Sequence, residues 1–346
     1  MKYTLITGVA GVVGFEIARQ QIISGNNVIG IDLLNEETRT ILEKKHDIQE
    51  LNTLAKINNV TFIFSELNIK SSQIETIFER HKIKTVIHCA SLVRDRVSVF
   101  SAAEFLDNNV VGTAHLLEVI KQHPWVEHIV FTSTRSAIGE ANSPDDHLDE
   151  TSPFSPINPY GASKASVEHL LHSFSANYQI PITIFRLNPQ ICDRRDMMPR
   201  ILIDAALTGQ SIVKFGDGYA TRDWLDVRDT ARAINLCLLN PEGIRVFCIG
   251  NERITTLNEL IYLVETMTSR TIQLVHQENP IGDAIHSGVF STQKAQSALS
   301  WKPEFSLEQS LLRLIELRAS QILEKKRLSH KSVNNRGERL YMENAY

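Results

Sequence analysis

The feature that most constrains the fold lies at the N-terminus, where the apolar, β-branched run Tyr3-Thr4-Leu5-Ile6-Thr7 breaks into Gly8-Val9-Ala10-Gly11-Val12-Val13-Gly14. Such a run reads as a buried strand, and glycine at every third position afterwards reads as a tight turn into a helix. The helix follows: between Phe15 and Ile23, residues Ile17, Ala18, Gln21 and Ile22 share one side, and Ser24-Gly25 stops it. Glycines at 8, 11 and 14 let the backbone approach a pyrophosphate, whose charge meets free amides at the helix start. The spacing alone is a weak signal. A second strand, Asn27-Val28-Ile29-Gly30-Ile31, strengthens it by delivering Asp32 where a dinucleotide's ribose hydroxyls need a carboxylate. A carboxylate there repels a 2′-phosphate, so NAD is expected over NADP; a nearby arginine, Arg39, could serve an NADP phosphate, but it is read as a solvated surface charge.

The same alternation continues. Strands are predicted at Val60–Phe64, Thr85–Ala90, His128–Ser133 and Ile182–Arg186, with helices at Ser71–His81, Asp107–Lys121 and around Tyr160. The expected fold is α/β: a Rossmann-type doubly wound parallel sheet over residues 1–186, with ligands at the carboxyl ends of its strands. After residue 186, loops rich in Asp, Arg, Gly and Pro separate helices near 197–209, 227–239, 256–268 and 306–325. Residues 187–325 therefore read as a smaller, discontinuous substrate-binding lobe with some segments returning to the first domain. The charged, aperiodic stretch 326–346 reads as a flexible tail. A net charge of −4 with interspersed signs gives no basic patch, which argues against nucleic acid as a partner. The four cysteines, Cys89, Cys192, Cys237 and Cys248, lack metal-ligand spacing, so no metal is expected. No apolar stretch is long enough to cross a bilayer and none reads as a signal peptide, so the expected location is the cytoplasm.

Tyr160 and Lys164, in Asn-Pro-Tyr-Gly-Ala-Ser-Lys, carry the chemistry. One helical turn apart, they lie on one face and can enter one pocket. A phenol titrates near ~10 and is a poor base at neutral pH until a nearby cation favours its ionised form.

With these residues in hand, the chain resembles the extended short-chain dehydrogenase/reductases, in their NAD-dependent nucleotide-sugar epimerase and dehydratase branch. The resemblance runs through TGVAGVVG, VIHCAS, DNNVVGT, FTSTRSAIGE, NPYGASK, FGDGYATRDWLDVRDTA and SWKPEFSLEQSL, in that family's order. It implies a triad of Thr134, Tyr160 and Lys164, with Tyr160 as acid or base, Thr134 relaying a proton, and Lys164 binding the nicotinamide ribose. The cofactor is implied to touch Gly8, Gly11, Val12, Val13, Gly14, Asp32, Glu66, Leu67, Ala90, Tyr160 and Lys164. Glu66 stands where relatives often carry an Asp at the adenine amine, and His88 is implied to pack on the adenine side.

In the 4,6-dehydratases that this chain resembles, the threonine is followed by Asp and Glu, the acid and base of water elimination. Here Arg135 and Ser136 replace them. Elimination is disfavoured, and what remains is oxidation, rotation of the keto-sugar and hydride return, which is C4 epimerisation of a UDP-sugar. The resemblance further implies sugar-nucleotide contacts at Arg96, Ser98, Ser136, Asn188, Arg194 and Arg222. Arg222 would meet the diphosphate, and Arg194 would face the carboxylate of a uronic acid. Relatives usually dimerise through the Asp107–Lys121 and Tyr160 helices, and Val167, Leu170, Leu171 and Phe174 fit that expectation. The implied role is polysaccharide-precursor supply. The alternatives are a net sugar-nucleotide dehydrogenase or reductase, a dehydratase, and a non-catalytic NAD-binding sensor.

Overall fold

The computed structural model describes residues 2–36, 39–194 and 197–324. The stretch 326–346 lies outside them. Seven parallel strands form the central sheet: β1 (Tyr3–Thr7), β2 (Val28–Asp32), β3 (Phe62–Glu66), β4 (Ile83–His88), β5 (His128–Thr134), β6 (Ile182–Leu187) and β7 (Ile244–Ile249), in the spatial order β7-β6-β5-β4-β1-β2-β3. The order reverses between β1 and β4, where Thr7 pairs with His88, and that crevice is where a doubly wound sheet takes its ligand. β2, β5 and β6 are buried along their whole length, as strands covered on both faces must be.

Helices cover both faces. On one, α1 (Val12–Ile23) packs on α2 (Ile41–Ile57) and on Val227–Cys237, around Phe15, Ile17, Leu51, Ile234, Phe247 and Trp301. On the other, Phe78, Leu116, Leu117, Val167, Leu171 and Phe174 close over Leu5, Ile29, Ile129 and Ile184. A separate core of Ile191, Leu202, Ile203, Trp224, Leu260, Val264, Leu307 and Leu311 lies in the C-terminal half.

Three segments depart from the sequence reading. The helix Ile41–Ile57 buries only a narrow stripe, including Ile48, Leu51 and Ala55, and so lacks a strong apolar period. Its signal was the capping box Thr40-x-x-Glu43, in which each side chain meets the other's backbone N–H. The strand Ile244–Ile249, which pairs with β6, is not among the predicted strands, although a return of segments from this half to the first domain is expected. The helix expected at Asp107–Lys121 is interrupted: Asp107–Val111 forms a widened π-type turn before Gly112–Ile120.

Candidate active site

At the crevice, one buried hydrogen-bond chain joins the elements around the cleft. Ala90 N–H donates to Thr7 Oγ1 at 3.2 Å, and the Thr7 hydroxyl meets His88 Nδ1 at 2.7 Å. His88 Nε2 meets Thr113 Oγ1 at 2.9 Å, and Thr113 Oγ1 donates to the Asn109 carbonyl at 2.5 Å. These roles suit a neutral imidazole protonated on Nε2. Burial, aided by the charge of Lys164, pushes His88 down to about 3. The His88 ring lies 5.7 Å from that of Phe131, the ring under the Lys164 ammonium. Next to it, Asn109 holds Leu92 through both its N–H and its carbonyl, and also donates to Ser163.

One cavity of about 320 Å³ runs along the strand ends. At one end are Gly8, Gly11, Val12, Val13, Gly14, Asp32, Leu67 and Ala90; at the other, Thr134, Arg135, Ser136, Tyr160, Lys164, Asn188 and Arg222. The glycines are required by contact. Gly8 has φ +70°, and a Cβ there would stand 2.7 Å from Ala90 N; a Cβ on Gly14 would stand 2.2 Å from the Gly8 carbonyl oxygen. Gly11 caps α1 without a side-chain bond, so the helix's first amides are left to an anion. Asp32 accepts from Ala10 N–H at 3.0 Å and Leu34 N–H at 2.8 Å, which fixes the carboxylate beside the turn, with Lys44 Nζ 4.0 Å away. This cradle, with a fixed carboxylate one strand over, fits a dinucleotide.

The other end is organised by α3 (Pro159–Tyr178). Asn158 caps it by accepting from Gly161 N–H at 2.8 Å, and Pro159 opens it at a position where no N–H is needed. Asn158 Nδ2 also donates to Asp95 Oδ1 and to the Gly282 carbonyl. Tyr160 and Lys164 are buried, 8 % and 2 % exposed, and both face the cavity. Lys164 Nζ sits 4.4 Å from the centroid of the Phe131 ring. It makes no salt bridge among the described residues, and burial brings it down to about 8. Thr134 ends β5 with its Oγ1 accepting from Ser136 N–H at 3.2 Å. One turn beyond Lys164, Glu168 is clamped: its carboxylate accepts from Arg186 Nη2 at 3.0 Å and from the Ser133 hydroxyl. The helix carrying Tyr160 is thereby tied to the strands carrying Thr134 and Arg186.

Several expected contacts fall elsewhere. Ser98 is fully buried outside the cavity wall; its Oγ donates to the Asp95 carbonyl and accepts Tyr160 N–H at 3.1 Å, so it seats the helix that carries Tyr160. Arg96 lies further out, stacked on Phe215 and paired with Asp283 at 2.7 Å. Arg222, on the wall, shares that aspartate at 3.0 Å. Arg194 does not face the sugar end: it pairs with Asp47 and Glu50 over the Phe15 ring, because two carboxylates of α2 and an aromatic face offer it a complete site. Its motif neighbours Arg195 and Asp196 lie outside the described residues. Arg39 is not solvated but paired with Asp47 at 11 % side-chain exposure. Glu66 is exposed on the edge strand and only its neighbour Leu67 lines the cavity. Asn188 donates to Asp223 at 2.8 Å, leaving its buried Oδ1 without a partner. Val167, Leu171 and Phe174 belong to the core of the chain itself. The sequence reading passed over Asp283, Asp95 and Asn158; the Asn-Pro before Tyr160 was the available signal for the last.

Residues 4–250 match the sequence profile described as the NAD dependent epimerase/dehydratase family. The chain is 30 % identical over 319 residues to a UDP-glucuronate 4-epimerase of Thermodesulfobacterium geofontis, covering 91 % of this chain and 95 % of that one. The structure is similar to that of a UDP-glucose 4-epimerase with UDP-glucose from Thermotoga maritima, at TM-score 0.82 and 29 % identity, covering 92 % of this chain and 99 % of the other. It is also similar to a UDP-glucuronic acid 4-epimerase mutant of Bacillus cereus in complex with UDP-4-deoxy-4-fluoro-glucuronic acid and NAD. There the TM-score is 0.84 and the identity 27 %, with 93 % of this chain and all of the other covered.

Proposed function

Since the chain belongs to the NAD dependent epimerase/dehydratase family, we propose that it is an NAD-dependent C4 epimerase of a uridine-diphosphate sugar. The observation that carries the choice of reaction is the cavity wall beside Thr134. The only acids lining the cavity among the described residues are Asp32, Asp95 and Asp283. Asp32 is held at the glycine turn, Asp95 accepts from Asn158, and Asp283 is shared by two arginines. Among the described residues, no uncommitted carboxyl group is left at that end of the cavity to protonate a departing hydroxyl and take the C5 proton.

NAD held in this cradle would supply reversible hydride transfer at the sugar C4 carbon. Its pyrophosphate fits the Gly8–Gly14 turn, its ribose hydroxyls fit Asp32, and Lys164 fits the second ribose. Within the chain, Tyr160 takes the C4 hydroxyl proton through Thr134 or directly, and gives it back after the keto-sugar has turned. The Lys164 ammonium, held in a desolvated site, favours the phenolate. The two hydroxyls steady the oxygen as its charge changes. Because hydride and proton both return, no added redox partner is consumed. On the same reading Arg222 meets the diphosphate after release from Asp283, and Asn188 Oδ1 accepts from the substrate.

The test is incubation of the purified protein with UDP-glucose, UDP-galactose, UDP-glucuronate and UDP-galacturonate, followed by proton NMR and reduced-nicotinamide absorbance. The expected result is an interconverting C4 pair without growth of reduced cofactor, abolished by Tyr160→Phe. Stoichiometric reduced cofactor would identify a dehydrogenase, and loss of the C6 oxygen a dehydratase. Extending the proposal, the enzyme acts as a cytoplasmic homodimer in polysaccharide-precursor supply. Exposed Leu106 and Val111 and half-buried Leu170 support a pairing face, and light scattering of the purified protein tests it.

A further inference from the structure

Arg135 follows Thr134 directly and lines the same cavity, yet the epimerisation described above gives it nothing to do. The residue is 5 % exposed. Its Nη1 donates to the carbonyls of Gly139 at 2.5 Å and Ser287 at 3.2 Å, and no carboxylate accepts from it among the described residues. Asp95, Asp283 and Glu140 act on it electrostatically, and each is engaged elsewhere. Asp283 serves Arg96 and Arg222, Asp95 accepts from Asn158, and Glu140 accepts backbone N–H groups of Ile285 and His286. Arg222 adds a second cation nearby, and burial lowers the Arg135 guanidinium to about 10. A guanidinium withdrawn from water and met only by carbonyl dipoles is costly to keep unless an anion joins it.

We propose that Arg135 binds a carboxylate carried on C5 of the sugar ring, so that the substrate of this enzyme is a nucleotide-diphosphate uronic acid. The proposal rests on the C4-epimerase reading. With the C4 hydroxyl at Thr134 and Tyr160, the ring substituents closest to the next residue in the chain are those on C3 and C5. Of these, only an oxidised C6 is negatively charged. The diphosphate is carried on C1, opposite C4, and on the reading above it belongs to Arg222. A planar guanidinium matches the two oxygens of a carboxylate. The role expected of Arg194 thereby passes to a residue on the catalytic strand's own turn.

The experiment compares kcat/KM for UDP-glucuronate and UDP-glucose in the wild type, Arg135→Met and Arg135→Lys, with a melting curve for each. The wild type should prefer the uronate. Arg135→Met should lose about 100-fold or more on the uronate and change little on the neutral sugar, because truncation strands the substrate's carboxylate. Arg135→Lys should recover part of the loss. Equal losses on both substrates would overturn the proposal, assigning Arg135 to the diphosphate or to a purely structural bond with Gly139 and Ser287. A wild type that epimerises only neutral sugars would also overturn it while leaving the epimerase reading intact, whereas no epimerisation of any sugar would sink that reading instead. Should Arg135→Met fail to fold, binding to Tyr160→Phe decides: tighter binding of UDP-glucuronate than of UDP-glucose supports the proposal, and equal binding overturns it.

Discussion

Removing the Glu168 carboxylate tests whether the catalytic helix is held by its clamp. Glu168 is fully buried and Arg186 is 4 % exposed. The guanidinium donates to the carboxylate from Nε at 3.1 Å and from Nη2 at 3.0 Å, while the Ser133 hydroxyl takes a further share. Glu168→Ala leaves a buried cation facing a hole, a loss of about 3–5 kcal/mol for a pair of this kind. Arg186 keeps the Glu150 carbonyl at 3.1 Å and the Phe154 face at 4.7 Å, which sets the expectation at the lower end, about 3 kcal/mol. At roughly 2 °C per kcal/mol for a chain of this size, the melting temperature falls by about 6 °C. Because Lys164 lies one turn upstream on α3, kcat should fall more than KM rises. The control is Glu168→Leu combined with Arg186→Met, which removes both charges; it should recover stability to within ~1 kcal/mol of the wild type without restoring full turnover. Urea unfolding and steady-state kinetics in matched cofactor states read both effects. A single variant costing under ~1 kcal/mol, or a double variant no more stable than the single, would refute the idea that this buried pair fixes the helix.

Two further outcomes follow from the cofactor end and the lysine. Burial lowers Lys164 from 10.5 to about 8, so between those values the unfolded chain binds more protons than the native one and stability rises with pH. Below pH 8 the buried ammonium is a net cost, so Lys164→Met should raise apo stability by up to about 3 kcal/mol, less the Phe131 contact, while turnover drops ~100-fold or more. Denaturation at several pH values should show the gap between the two proteins closing from pH 8 to 10.5, and a gap that widens instead would contradict the burial argument. Gly14→Ala places a Cβ 2.2 Å from the Gly8 carbonyl oxygen, where only backbone can yield. NAD titration should show binding lost together with about 2 kcal/mol of stability; an NAD affinity within a few-fold of the wild type would mean that the turn is not the pyrophosphate cradle.

What the sequence made legible, and what it did not, divides along physical lines. The first strand, the glycine turn and the Tyr160 helix were readable because each depends on local chemistry: β-branched runs, glycine where a Cβ has no room, and a cap followed by proline. The helix Ile41–Ile57 was passed over because its buried stripe is thin, although its capping box stood in the sequence. The strand Ile244–Ile249 is as apolar as the others, but nothing local says that a segment from the C-terminal half joins the first sheet. Charged side chains were the hardest to place. Arg194 matches a sugar-facing motif, yet Asp47 and Glu50, more than 140 positions earlier, give it a better site. Ser98, expected in the pocket, is committed to a backbone amide of the catalytic helix.

Those displacements bear on specificity. A cation's position in sequence says little about whether it is free to meet a ligand, because long side chains find carboxylates wherever the fold brings them. Of the arginines at the sugar end, Arg96 and Arg222 share Asp283, and each must give up a partner to bind an anion. Among the described residues Arg135 has no carboxylate to give up, and it is the most deeply withdrawn of these from water. An incoming anion therefore gains most there, since no existing ion pair has to be broken. On the proposed reading, Arg135 beside Thr134 has two consequences: it leaves elimination without an acid at this position, and it offers a place for a negative charge next to C4 of the sugar.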